Sequence, residues 1–124
     1  TGLTAGSDFD QIGITGGLTL TGAAANSYYL NILSLTAGNV TGLAENFSEI
    51  NRSWNILTTT TGITGFNDSY WNINSSGFTN LEGGTWSLAQ SGNNLVLSYT
   101  AVPEPRAALL GGLGLLMLLR RRRP

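Results

Sequence analysis

Cysteine, histidine and lysine are all missing from the 124 residues. Without cysteine there is neither a disulfide framework nor a thiolate metal site. Without histidine the commonest general base and the commonest metal ligand are gone. Charge is scarce too, and it is divided. Residues 1–102 carry one base, Arg52, against six acids (Asp8, Asp10, Glu45, Glu49, Asp68 and Glu82), a net charge of −5. Residues 103–124 carry five arginines and one acid, a net of +4. An acidic body repels phosphates, which argues against nucleic acid as a partner. Gly16-Gly17 lacks the lysine and the following helix of a phosphate-binding loop, and no cofactor is expected. The opposite charge of the two regions marks the terminal segment as having a separate task.

What is present favours strands. Glycine, threonine, serine and asparagine dominate the body, a mix that suits turns and extended chain better than helix. Ile12, Ile14, Leu18 and Leu20 alternate with small or polar residues, which predicts a half-buried strand or strand pair with a bend at Gly16-Gly17. Tyr28–Leu35 is apolar on both parities and reads as a more buried strand. Ser53–Thr60, Tyr70–Asn74, Thr85–Gln90 and a last segment around Leu95, Leu97 and Tyr99 are further strands. Ser91-Gly92-Asn93-Asn94 has the composition of a hairpin loop. Leu43, Phe47 and Ile50 fall at i, i+4 and i+7, the spacing of one face of a short helix. The expected fold class is all-β for residues 1–101, as a β-sandwich or the terminal cap of a β-solenoid; no strict repeat period decides between them.

Several constellations bear on chemistry, each with a plainer reading. Asp8 and Asp10, two apart, could share a calcium ion, but the flanking residues form no calcium loop, and a solvated turn accounts for them. Glu45 and Glu49, four apart on the expected helix, have the spacing of a glycosidase pair, yet the small body shows no cleft-forming elements. Trp54, Trp71 and Trp86 could stack on sugar rings, although a body with so few large side chains needs them in its core. Asn39, Asn46, Asn51, Asn67 and Asn74 each open an Asn-x-Ser/Thr sequon, in a chain where asparagine is favoured at turns anyway. No catalytic residue and no metal ligand set emerges, and the body is expected not to be an enzyme.

The tail is the most specific feature. Residues 107–119 are thirteen uncharged, almost wholly apolar positions, preceded by Val102-Pro103-Glu104-Pro105-Arg106 and followed by Arg120, Arg121, Arg122 and Arg123. Thirteen helical residues rise roughly 20 Å against a hydrocarbon core of about 30 Å. A packing helix would show a polar face, and this one has none. The arginine block beside the apolar run has the form of a stop-transfer signal, and long arginine side chains extend the effective span. A short transmembrane helix over 106–119 is therefore expected, with the lipid bilayer as its partner. A hydrophobic packing helix with a basic end is the alternative.

Pro103-Glu104-Pro105, the Gly/Leu-rich run and the terminal arginine cluster together resemble the PEP-CTERM sorting signal of Gram-negative bacteria. The resemblance implies a tail over residues 102–124 that is recognised at Pro-Glu-Pro by an exosortase, a membrane-embedded transpeptidase-like enzyme. The body is similar to the C-terminal region of bacterial proteins with autotransporter-associated β-strand repeats. That similarity rests on SDFDQIGITGGLTLTG (7–22), SWNI (53–56), ITGF (63–66), WNINSSGF (71–78) and GTWSLAQSGNNLVLSYT (84–100), in that order. It implies a longer protein with a Gly/Thr/Asn-rich β-solenoid upstream. Export needs an N-terminal signal and the sequence starts at Thr1, so an upstream part is expected. The implied function is that of an exported surface or extracellular-matrix protein, inserted in the inner membrane before processing, with a structural or adhesive body. Extracellular polysaccharide is a further candidate partner. The alternatives are the end of a sorted polysaccharide-degrading enzyme whose catalytic domain lies upstream, and a permanently anchored single-pass membrane protein. Far-UV circular dichroism of residues 1–101 is expected to give a strand-dominated spectrum, and strong helical minima would contradict the fold class.

Overall fold

The computed structural model describes residues 4–22, 24–45, 47–80, 83–103 and 105–121. Eight strands make up the body: β1 (Ile12–Ile14), β2 (Gly17–Thr19), β3 (Tyr28–Leu33), β4 (Arg52–Thr59), β5 (Gly62–Thr64), β6 (Trp71–Gly77), β7 (Thr85–Ser91) and β8 (Asn94–Thr100). One helix, α1 (Pro105–Arg120), follows.

The first six strands are two turns of chain laid one on the other. β1 pairs with β4, β2 with β5 and β3 with β6, each in parallel. Ile12 lies opposite Leu57, Gly17 opposite Gly62 and Tyr28 opposite Trp71, offsets of 45, 45 and 43 residues. Parallel strands need long crossovers, and here the rest of each coil supplies them. The body is strand-rich without a closed barrel, and coil pairs with coil in parallel register. The offsets are similar without forming a strict repeat period. Gly17-Leu18-Thr19 stacks on Gly62-Ile63-Thr64, and Tyr28-x-Leu30-Asn31 on Trp71-x-Ile73-Asn74. Few positions match, and the link from β5 to β6 is two residues shorter than that from β2 to β3.

Stacking aligns like with like. Leu18 packs over Ile63 and Leu30 over Ile73. Asn74 Nδ2 donates to Asn31 Oδ1 at 3.0 Å, and Thr64 Oγ1 lies 3.1 Å from Thr19 Oγ1. Such cross-strand pairs hold register, since a one-residue slip would turn every inward side chain out. At the corner between β4 and β5 the threonine run closes the turn through its hydroxyls. Thr59 Oγ1 donates to Asn93 O and accepts from Gly62 N–H, and Thr60 Oγ1 accepts from Gly16 N–H at 2.7 Å.

The last two strands depart from the coil. β8 runs antiparallel to β4 and β7 antiparallel to β8, giving a four-stranded sheet in the order β1-β4-β8-β7. The turn between β7 and β8 is the expected hairpin loop, with Gly92 at φ +57°, a conformation glycine adopts without strain. Gln90 Nε2 donates to Ile63 O at 2.9 Å, so the hairpin also satisfies a carbonyl on β5. The core lies inside the coils and under the hairpin: Ile32, Trp54, Ile63, Leu88, Leu95, Leu97 and Tyr99 are buried.

Three sequence expectations need correction. Tyr28–Leu35 is half-buried, with Ile32 and Ser34 inside and Tyr29 and Leu33 outside, because a coil wall has only one inner face. Ile12 shares parity with inward residues yet is 61 % exposed, on a strand that has a neighbour on one side only among the described residues. The stretch spaced for a helix, Leu43–Ile50, is irregular in its described residues, with a turn at Glu45 and bends at Glu49 and Ile50. The Asn80 amide accepts from Ala44 N–H at 2.8 Å and donates to Ala44 O at 3.1 Å, taking the carbonyl that a helix would pair with Ser48 N–H.

Leu95 is 1 % exposed and sits between β4 and β7. Leu95→Ala is expected to lower unfolding stability by about 2–5 kcal/mol in urea titrations. Tyr29→Ser, at a position 70 % exposed, is expected to change it by no more than about 0.5 kcal/mol.

Candidate functional site

The residues singled out for sorting fall where the chain leaves the body. β8 ends at Thr100, and Val102 and Pro103 are exposed. Pro105 opens α1, where its missing N–H costs nothing. Glu104, Arg122 and Arg123 lie outside the described residues. Arg120 closes α1 and Arg121 follows it, exposed, its N–H donating to Met117 O at 3.2 Å. Positive charge at a helix C-terminus complements the helix dipole.

From Leu109 to Leu119 α1 shows no polar face and is not packed away. Every residue from Leu109 to Arg121 is exposed, and the leucines and Met117 of this stretch range from 51 to 76 %. Its sixteen residues reach roughly 24 Å, short of the ~30 Å hydrocarbon core. Accordingly, among the described residues no helix is long and apolar enough to cross a membrane. The expected transmembrane helix over 106–119 is thus a helix, but one that does not meet the length of a full span.

Next to the exit is a polar clasp that sequence reasoning did not assemble. Glu49 Oε1 accepts from the Tyr99 hydroxyl at 2.8 Å and from Gly83 N–H. The same hydroxyl accepts from Gly84 N–H at 2.9 Å. A side chain at Gly84 would collide with Thr100 O and the Tyr99 ring, so glycine is required there. These donors, the Gly83 amide first and the Tyr99 hydroxyl second, hold the Glu49 carboxyl below the usual glutamate range. Asn51 Oδ1 accepts from Ala101 N–H at 2.9 Å. Above the clasp an aromatic cluster fixes Tyr99: Trp86 at 4.8 Å between ring centroids, Phe47 at 5.9 Å, and Trp54 and Phe78 around Trp86 at 5.8 and 5.4 Å. Glu49 and Asn51 figured in the sequence as half of an acid pair and as a sequon; no local signal points to Tyr99, fifty residues away from Glu49.

The other constellations resolve toward structure. Asp8 Oδ2 accepts from Thr4 N–H at 3.0 Å in an exposed turn, and no group of three or more acids could hold a metal among the described residues. Glu49 is engaged in the clasp, and the helix that would have paired it with Glu45 is absent. Trp54 is buried; Trp86 packs on it, and Trp71 packs on Tyr28 at 5.1 Å. Asn67 accepts from Ser69 N–H, Asn74 joins the ladder with Asn31, and Asn39 occupies a turn at φ 56°. Asn46 lies outside the described residues. An open, shallow groove runs along Ile50, Asn51, Arg52, Ser98 and Thr100. No family model matches the chain, and neither curated proteins nor solved structures yield a match.

The clasp sets a pH dependence. A carboxyl held low contributes stability that is whole above the ordinary glutamate pKa of ~4.3 and is lost as pH falls through the lower folded value. Urea midpoints measured from pH 7 downward are expected to hold until the acid range and then drop. In Glu49→Gln the acid limb should be shallower; an unchanged limb would show that the clasp contributes nothing.

Proposed function

We propose that the chain is the C-terminal part of an exported bacterial surface or extracellular-matrix protein, with a structural or adhesive body and a tail that directs membrane insertion and exosortase-type sorting. The observation that carries this is α1: a helix with no polar face between Ala107 and Leu119, exposed from Leu109 onward, opened by the last proline of Val102-Pro103-Glu104-Pro105 and ended by arginines. An exposed leucine-rich helix in water is a liability, whereas lipid satisfies both its side chains and its internally bonded backbone. Its shortfall in length is of the size that local bilayer thinning and snorkelling arginines absorb. The arginines would stay on the cytoplasmic side, since each costs about 2.5–3.5 kcal/mol at mid-membrane. The body would lie outside, with the proline-flanked motif at the outer interface.

The stacked coils support the structural half of the reading. β1, β2 and β3 each have one strand neighbour among the described residues, so the first coil offers an edge on which another coil can stack. The β7–β8 hairpin covers β4 at the opposite end, as the terminal cap of a solenoid does. The body acts as a scaffold without catalytic chemistry.

Glu104→Ala is expected to leave the full-length chain in the inner membrane. Mass spectrometry of the surface form is expected to find a new C-terminus near residues 103–105 and no leucine-rich run. A surface form that retains residues 107–123 would make the tail a permanent anchor and reject sorting.

A further inference from the structure

Of the chain's four tyrosines, three tryptophans and four phenylalanines, Tyr29 is the one ring left exposed among the described residues, at 70 %. The tryptophans are held by the interior: Trp54 is buried, and Trp71 and Trp86 pack against the core. Tyr29 stands on the outer face of the wall made by β3 and β6. Asn72 lies opposite it, and Asn74 lies opposite Asn31. Partners in a parallel pair share a face, as do alternate residues along a strand, so Tyr29, Asn31, Leu33, Asn72 and Asn74 form one strip. Leu30, Ile32 and Ile73 take the inner face. From Tyr29 to Leu33 the strip runs ~13 Å along the strand.

The strip carries no charge, and its polar part is fixed. Asn74 Nδ2 donates to Asn31 Oδ1 at 3.0 Å, and Asn74 Oδ1 accepts from Ser76 N–H at 3.1 Å. With both carbonyl oxygens engaged, the pair offers amide hydrogens: those of Asn31 Nδ2 and the second one on Asn74 Nδ2. Asn72 adds another amide beside the Tyr29 ring. At the other end Leu33, 57 % exposed, lies over Gly77, where a side chain would collide with it. The strip stays open if another coil stacks on the β3 edge, because stacking uses backbone groups in the plane of the sheet.

An aromatic ring, an aliphatic end and oriented amide donors between them match a ligand that alternates C–H faces with hydroxyl groups. A sugar ring lays its C–H face on an aromatic ring, and its hydroxyl oxygens accept from amides. One tyrosine and one leucine supply too little apolar area for a stable protein interface. A net charge of −5 on residues 1–102 repels an acidic polymer. We propose that the outer face of β3 and β6, built around Tyr29 with Asn31, Asn72 and Asn74, is a binding site for a linear neutral polysaccharide lying along the strands. The site rests on the adhesive reading of the body and needs nothing from the tail.

The test passes the full chain, in a sugar-free detergent, over immobilised cellohexaose, laminarihexaose and mannohexaose, with hexagalacturonate as the acidic comparison. Retention on at least one neutral probe, above that on hexagalacturonate, is expected; retention on none overturns the proposal. Tyr29→Ser is expected to weaken binding to the retaining probe about tenfold, the loss typical of a central aromatic anchor. Tyr29→Trp keeps a ring and is expected to bind at least as well as the parent. Asn72→Ala is expected to cost about three- to tenfold, the factor one net hydrogen bond represents. Ile12→Ser, at a position 61 % exposed on another wall, is expected to bind like the parent. Parent-like binding by Tyr29→Ser would place the sugar elsewhere and reject the site, and tighter binding of hexagalacturonate would reject its neutral chemistry. If no sugar is retained and Tyr29→Ser instead turns a dimer into a monomer in sedimentation, the strip joins copies of the chain and the proposal falls. None of these results touches sorting, which is decided by the C-terminus of the surface form.

Discussion

The parallel stacking of the second coil on the first is the interaction on which everything else in this body depends. None of the short strands could stand alone: β1, β2 and β5 have three residues each. A strand of that length is stable only as part of a larger sheet with a buried face. Stacking gives each of the three a partner, lines up Leu18 with Ile63 and Leu30 with Ile73, and lets Asn31 and Asn74 bond outside the core. The coil interior is narrow, so seven buried hydrophobic side chains and the aromatic residues packed against them suffice as a core.

The β7–β8 hairpin converts that stack into a body with an end. It contributes Leu88, Leu95, Leu97 and Tyr99 to the core, the larger share of its fully buried side chains. It also blunts an edge, since β4 is paired on both sides and Gln90 reaches the carbonyl of Ile63. At the far end of β8 the same hairpin brings Tyr99 to Glu49 and Ala101 to Asn51. Core, cap and chain exit are thus one continuous construction, and the exposed apolar helix hangs from its last hydrogen bond. The division of charge fits the same arrangement. The body's only base, Arg52, is taken up beside the clasp, with Nη2 donating to Ser48 Oγ at 3.1 Å, while the other five arginines stand in the tail.

Much of this was legible locally. Alternation placed β1 and β2, the Gly-Asn pair placed the hairpin turn, and the apolar run with its prolines and arginines placed α1. Signals of this kind depend only on neighbours along the chain. The clasp was not legible, because Glu49, Gly83 and Tyr99 carry no shared pattern and meet only after β4, β7 and β8 have paired. The expected helix at Leu43–Ile50 failed for the same reason: its spacing was suitable, but Asn80, thirty-six residues away from Ala44, takes the Ala44 carbonyl instead. The coil pairing leaves only a handful of matched positions in the sequence, because stacking tolerates unlike residues wherever side chains face outward.

The sequence alone therefore determined the composition of the walls, the turns, the division of charge and the tail, since backbone preference, alternation and hydrophobicity are properties of short segments. Tertiary structure alone decided which strands became neighbours, which apolar residues faced inward and how firmly the tail is tied. Those outcomes turn on contacts between residues some forty-five apart, whose register is set by the length of each coil and by the side chains that meet when one coil settles on the next.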